Sequence, residues 1–91
     1  MDPVKVLQRA YQDELLDALR AEGAAQGVPY PHVRALLLEV ARRERAHAEA
    51  LAEALRRRGA PLPPTPKPEE GGWETLLRLL SEEGLDRAYY L

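Results

Sequence analysis

The sequence predicts an all-α protein, an antiparallel helical hairpin that pairs with a second copy of itself to complete a four-helix bundle. Three observations point there. The 91 residues are rich in Leu and Ala, with no Phe, one Trp and one Met, which suits close helix packing better than β-sheets, where β-branched and aromatic residues prevail. Two stretches repeat their apolar residues at helical spacing on either side of a Gly- and Pro-containing turn. A chain of this length makes one domain at most, and alone it buries a limited core.

Helix 1 is expected from Pro3 to about Glu22. Val4, Leu7, Tyr11, Leu15, Ala18 and Leu19 recur at helical spacing. Asp2 is the N-cap, and Pro3 takes the first helical position, where its missing N–H costs nothing. The segment from Gly23 to Pro31, with two glycines and two prolines, reads as the turn. Helix 2 is expected over about 32–58. It stops at Gly59, a natural C′ residue, and Arg56, Arg57 and Arg58 in its last turn suit the negative end of the helix dipole. The proline-rich run at 60–72, closed by Gly71 and Gly72, reads as a semi-rigid extended arm. Trp73, Leu76, Leu77 and Leu80 then mark a short amphipathic C-terminal helix within 73–91, which cannot fold alone and is expected to dock on a hairpin.

Composition excludes several classes of function. Net charge is −2, and the basic residues apart from Arg56–Arg58 are scattered, so nucleic acid is not an expected partner. The absence of cysteine removes disulfides, thiolate zinc sites and thiol chemistry, and makes a reducing cytoplasm the expected location. The start of the chain does not read as a targeting segment, and no run of about 18 apolar residues could span a bilayer. No membrane association is expected.

Chemistry concentrates on helix 2. At about 100° per residue, Val33, Leu36, Leu37, Val40, Leu51, Ala54 and Leu55 form one face, and Glu44 and His47 fall in the middle of it. Glu39, Glu49 and Glu53 point away and read as solvated. Ionisable groups on a buried seam need an explanation, because an unpaired carboxylate there costs several kcal/mol. Residues three apart on a helix are neighbours, so Glu44 and His47 can offer an oxygen and a nitrogen ligand to one point. On helix 1, Glu14 lies inside the apolar arc, with Asp13 and Asp17 farther out. If the hairpin centres on Pro29, Glu14 is level with Glu44, Tyr11 with His47 and Leu7 with Leu51, so the polar groups share a layer bracketed by apolar ones. Tyr11 reads as packing, His32 as a surface residue and Glu22 as a group near the helix end that reaches solvent. The triple arginine reads as a helix-end charge cluster that can pair with acids of a partner.

Glu14, followed thirty positions later by Glu44-Arg45-Ala46-His47-Ala48-Glu49, resembles the ferritin-like superfamily, in particular its short rubrerythrin-like members. In that superfamily two iron or manganese ions are held by a Glu from each of two helices and a Glu-x-x-His from each of the other two. The resemblance covers residues 7–58 and supplies half of that set. It therefore implies a homodimer or higher homo-oligomer in which Glu14, Glu44 and His47 of each copy give four carboxylates and two imidazoles. It further implies iron, with manganese or zinc as alternatives, and ferroxidase or peroxidase activity. Glu44 would be a candidate bridge between metals and His47 a terminal ligand. Relatives often carry a tyrosine about two turns after the first Glu, and Ala21 stands there in this chain.

Two other readings stay open at this level. The trio could be a metal-free hydrogen-bonded cluster that fixes helix register, in a non-catalytic dimerisation or adaptor module whose tail binds a partner. Alternatively, the tail could reach neighbouring dimers and tie them into a ring or shell.

Overall fold

A computed structural model describes residues 1–68, which form α1 (Pro3–Gly27) and α2 (Pro31–Arg57) and no strand. The expected C-terminal helix and the last part of the expected arm lie outside the described residues. α1 starts where its sequence dictates. Asp2 is extended, and its Oδ1 accepts the Val4 N–H at 2.9 Å, satisfying one of the orphan donors of the first turn. The far end of α2 closes as a Schellman motif. Gly59 has φ +67°, its N–H donates to the Arg56 carbonyl at 2.9 Å, and the Ala60 N–H donates to the Leu55 carbonyl at 3.0 Å. A left-handed residue is required at that point, and only glycine takes the conformation without strain.

The end of α1 differs from expectation. The helix passes through Gly23 and continues to Gly27. A mid-helix glycine costs about 1 kcal/mol relative to Ala, which is small beside the packing gained beyond it, where Ala25 and Val28 cluster with Leu37. A second device closes this end. Arg34, in the first turn of α2, donates from Nη2 to the Val28 carbonyl at 2.8 Å and from Nε to the Ala25 carbonyl at 3.3 Å. α1 has no basic residue in its own last turn, so Arg34 supplies the cation its dipole favours.

Between the helices the seam is largely alanine. Ala18, Ala21 and Ala25 with Leu15 on α1 meet Leu37, Val40, Ala41, Ala48, Ala52 and Leu55 on α2, all buried. Small side chains let two helices approach closely, because the interaxial distance follows the residues at the contact. Ala21 packs with Val40 and Ala41, and Ala25 with Leu37. The hairpin is thus centred near Tyr30 and Pro31 rather than on Pro29. The apolar stripe expected on α2 is divided by this packing. Leu37, Val40 and Leu55 enter the seam, whereas Val33, Leu36, Leu51 and Ala54 are left half-buried beside it.

After Gly59 the chain turns back along α1. Gln8 Nε2 donates to the Pro61 carbonyl at 3.0 Å and Gln12 Nε2 to the Pro64 carbonyl at 3.2 Å. Ala60, Pro63 and Pro66 are half-buried. The expected extended arm is therefore held against the helix over its described part.

The two glycines predict opposite responses. Nothing lies within 4 Å of a Cβ added at Gly23, and its φ is negative like its neighbours'. Gly23→Ala is expected to stabilise the chain by about 1 kcal/mol. Gly59→Ala is expected to destabilise it by about 1–2 kcal/mol, because an L-residue would be forced into the left-handed region. Thermal unfolding of the two variants beside the wild type checks both signs.

Candidate metal centre

The seam separates two faces of the hairpin. Taking Leu37 as the direction of the seam on α2, His47 is rotated about 80° one way and Arg45 about 80° the other. Taking Ala18 on α1, Glu14 is rotated about 40° one way and Glu22 about 40° the other. The contacts follow this division. Glu14 meets His47 on one face, and Glu22 meets Arg45 on the opposite one.

On the first face, Glu44 is the one buried charged residue among those described, with 8% of its surface exposed. It stands in the seam one turn before Ala48 and one turn after Ala41. Glu14 is half-buried, but its Oε2 is shielded from solvent and has no hydrogen-bond partner among the described residues. His47 is mostly exposed, its side chain 60% accessible, with Nδ1 3.5 Å from Glu14 Oε2 and 4.0 Å from Glu44 Oε1. Both distances exceed those of an N–H···O hydrogen bond. One ligand atom from each of the three residues lies within 4.8 Å of the others.

The three residues predicted from sequence are thus brought together. The register sets Glu14 level with His47 and leaves Glu44 one turn along, instead of level with Glu14, and all three still converge because i and i+3 positions are neighbours. Tyr11, one turn before Glu14, is half-buried, and His32 is exposed with its ring centroid 6.2 Å from that of Tyr30.

An orphaned, solvent-shielded carboxylate oxygen is a costly feature in a protein, since its lost hydration goes uncompensated. Two carboxylates and an imidazole facing one point have the donor chemistry to compensate it with a divalent cation. Hard oxygen donors with one nitrogen suit iron, manganese or zinc. The residues present therefore fit a metal.

The family comparison agrees with this donor set. The rubrerythrin family model matches residues 5–75, spanning both helices and the arm. The chain belongs to the rubrerythrin family. No curated protein and no solved structure matches it. In this rubrerythrin-family chain, no described helix is long and apolar enough to cross a membrane.

On the opposite face the structure corrects a sequence expectation. Glu22 is not at a fraying end; it forms a bidentate pair with Arg45, at 2.7 and 2.8 Å, across the hairpin. Hydrogen bonding to that guanidinium holds the Glu22 carboxyl below its ordinary value, against the smaller opposing effect of burial. The remaining acids of α2 pair within their own helix. Glu39 accepts two bonds from Arg42, while Glu49 and Glu53 pair with Arg56, and Glu53 also with Arg57. Part of the arginine cluster is therefore occupied locally.

Arg45, Arg34, Gln8 and Gln12 were not identifiable as partners from sequence, because none sits at a spacing that signals a contact 6 to 53 positions away. The Glu22–Arg45 pair carries a pH prediction. A carboxyl with a lowered folded pKa contributes stability that is present above its unfolded value, 4.5, and is lost as the pH falls through the folded one. Glu22→Gln is expected to flatten the acid limb of stability below about pH 5 and leave the neutral-pH slope unchanged. Denaturant titrations of the variant and wild type at several pH values check it.

Proposed function

We propose that the chain is a homodimeric, ferritin-like di-metal protein in which Glu14, Glu44 and His47 of each copy bind iron. One observation carries the reading. Among the described residues, Glu14 Oε2 is removed from water without a hydrogen bond, within reach of a buried Glu44 and a His47 whose Nδ1 is too far from either acid to hydrogen-bond it. A metal-free polar cluster would be expected to close those bonds, since that is how a buried register-fixing network is satisfied.

The pairing of copies is supported by the face on which the trio lies. Val33, Leu36, Leu51 and Ala54 surround the site on α2 and are half-buried, an apolar surface that a second hairpin would cover. His47, exposed in one copy, would be enclosed in two. Two copies related by a two-fold axis would present four carboxylates and two imidazoles to one another.

Bound iron would supply the redox capacity for oxidising ferrous ions with oxygen or peroxide, or for reducing peroxide. This chain's residues do the rest. Glu14 and Glu44 would offset the cationic charge, Glu44 from within the seam. His47 would supply a nitrogen ligand, its Nδ1 lying 3.5 Å from Glu14 Oε2. In two paired copies the apolar neighbours would keep bulk water from the layer, which would strengthen the electrostatic attraction between carboxylates and cation.

The test is metal content. Protein purified from iron-supplemented cells is expected to carry iron in the wild type. Glu14→Ala, Glu44→Ala and His47→Ala should each lower metal affinity by at least about 10-fold, the loss typical of changes even one shell farther out. Iron should also raise the wild-type unfolding temperature by mass action. Light scattering should give the mass of two chains. A wild type with no more metal than the variants would exclude the metal centre, and a mass of one chain would exclude the pairing.

A further inference from the structure

We propose that residues 60–68 are a strap that closes the rear groove of the hairpin, the side opposite Glu14 and His47, and so leave the chain one face for association. The contacts are specific. Gln8 and Gln12 are successive positions on one stripe of α1, and their amides donate to the carbonyls of Pro61 and Pro64, 3.0 and 3.2 Å away. The carbonyls they reach are three residues apart, the period at which a polyproline II helix repeats its face.

A segment with prolines at 61, 63, 64, 66 and 68 has few N–H groups, so it can be recognised by hydrogen bonds chiefly through its carbonyls. Glutamine amides projecting from a helix are matched donors. Proline also lowers the entropy lost on docking, because its backbone is already restricted. Pro63 and Pro66, between and beyond the bonded carbonyls, are half-buried.

The strap follows an apolar edge of the seam. By helical spacing, Leu15 and Leu19 on α1 and Ala52 on α2 lie on the Gln8 and Gln12 side of the seam. Leu15 and Ala52 are buried and Leu19 half-buried. A bare groove of this kind would be a second surface for self-association. The Schellman turn at Gly59 reverses the chain at the required place, since Ala60 is bonded back to Leu55 and is itself half-buried. The strap needs no metal. Only the statement that one associating face remains rests on the pairing proposed above.

The lack of cysteine makes spin labelling unambiguous. Full-length chain carrying Arg9→Cys and Thr65→Cys, both exposed positions, is labelled and measured by pulsed electron spin resonance with an excess of unlabelled chain. A single narrow distance is expected, and Gln8→Ala with Gln12→Ala should broaden it. In light scattering the same double variant without labels should shift to a larger mass than the wild type, while circular dichroism shows its helices intact. A broad distribution in the parent, or one unchanged by the double variant, overturns the strap. Loss of the distance on dilution with unlabelled chain overturns it in favour of arms exchanged between copies. An unchanged mass in the variant overturns the blocking role. The label distance reads the strap alone, and a wild-type mass of one chain would count against the pairing while leaving that distance as it is.

Discussion

Two helices can bury only one seam between them, and α2 carries apolar residues over an arc wider than one seam. Every later feature of the hairpin follows from how that excess is divided. Alanines at 41, 48 and 52, with Leu37 and Leu55, take the contact with α1, and the leucines and valine at 33, 36 and 51 are displaced to its flank. The division is favourable because alanine on both helices allows close approach, and close approach maximises dispersion contacts along the backbone. It also determines where the ionisable residues stand. Glu44 is carried into the seam itself, and His47, three positions later, is turned onto the flank.

The two faces of the hairpin are finished by different chemistry. On one, polar groups are satisfied within the chain. Glu22 is matched by Arg45, and Gln8 and Gln12 by carbonyls of the arm. On the other, Glu14 Oε2 has no hydrogen bond among the described residues. Exposed ion pairs contribute little to stability, so the contrast is not one of strength. It lies in completeness, since buried polar groups of natural proteins are almost always paired, and the exception in this hairpin coincides with the apolar flank.

Much of this was legible in the sequence, for reasons that can be assigned residue by residue. Asp2, Pro3 and Gly59 announce helix ends because each has a local chemical role that does not depend on the rest of the fold. Glu44 and His47 were found because they interrupt an apolar period. Gly23 misled, since glycine disfavours helix only by about 1 kcal/mol and the packing of Ala25 and Val28 with Leu37 outweighs it. Periodicity places the seam toward the leucines for a related reason. A stripe reading weights large apolar residues, whereas the alanines that make the contact are nearly silent in it. The register centres near Tyr30 and Pro31 rather than on Pro29, and the trio still converges because a one-turn displacement along a helix exchanges level neighbours for i+3 neighbours. Arg34, Arg45 and the two glutamines act across long stretches of chain, and no periodicity encodes such pairings.

The combination of a buried acid, a half-buried acid and an exposed imidazole also has a consequence for how the site can work. Glu44 is buried in the seam, Glu14 is half-buried and His47 is largely exposed. In a hairpin alone, such a trio is pre-organised on one side only. Bringing a second apolar flank against Val33, Leu36, Leu51 and Ala54 would restrict His47 and lower the local dielectric together. Four carboxylates in that dry layer would repel one another strongly, and about four positive charges, as on two divalent cations, would offset them. Among the described residues, Arg45 pairs with Glu22, and Arg42 and Arg43 pair with Glu39. On the proposed reading the pairing of copies and the binding of metal would therefore be coupled, since the first would cover the apolar flank and the second would compensate the carboxylates gathered beneath it.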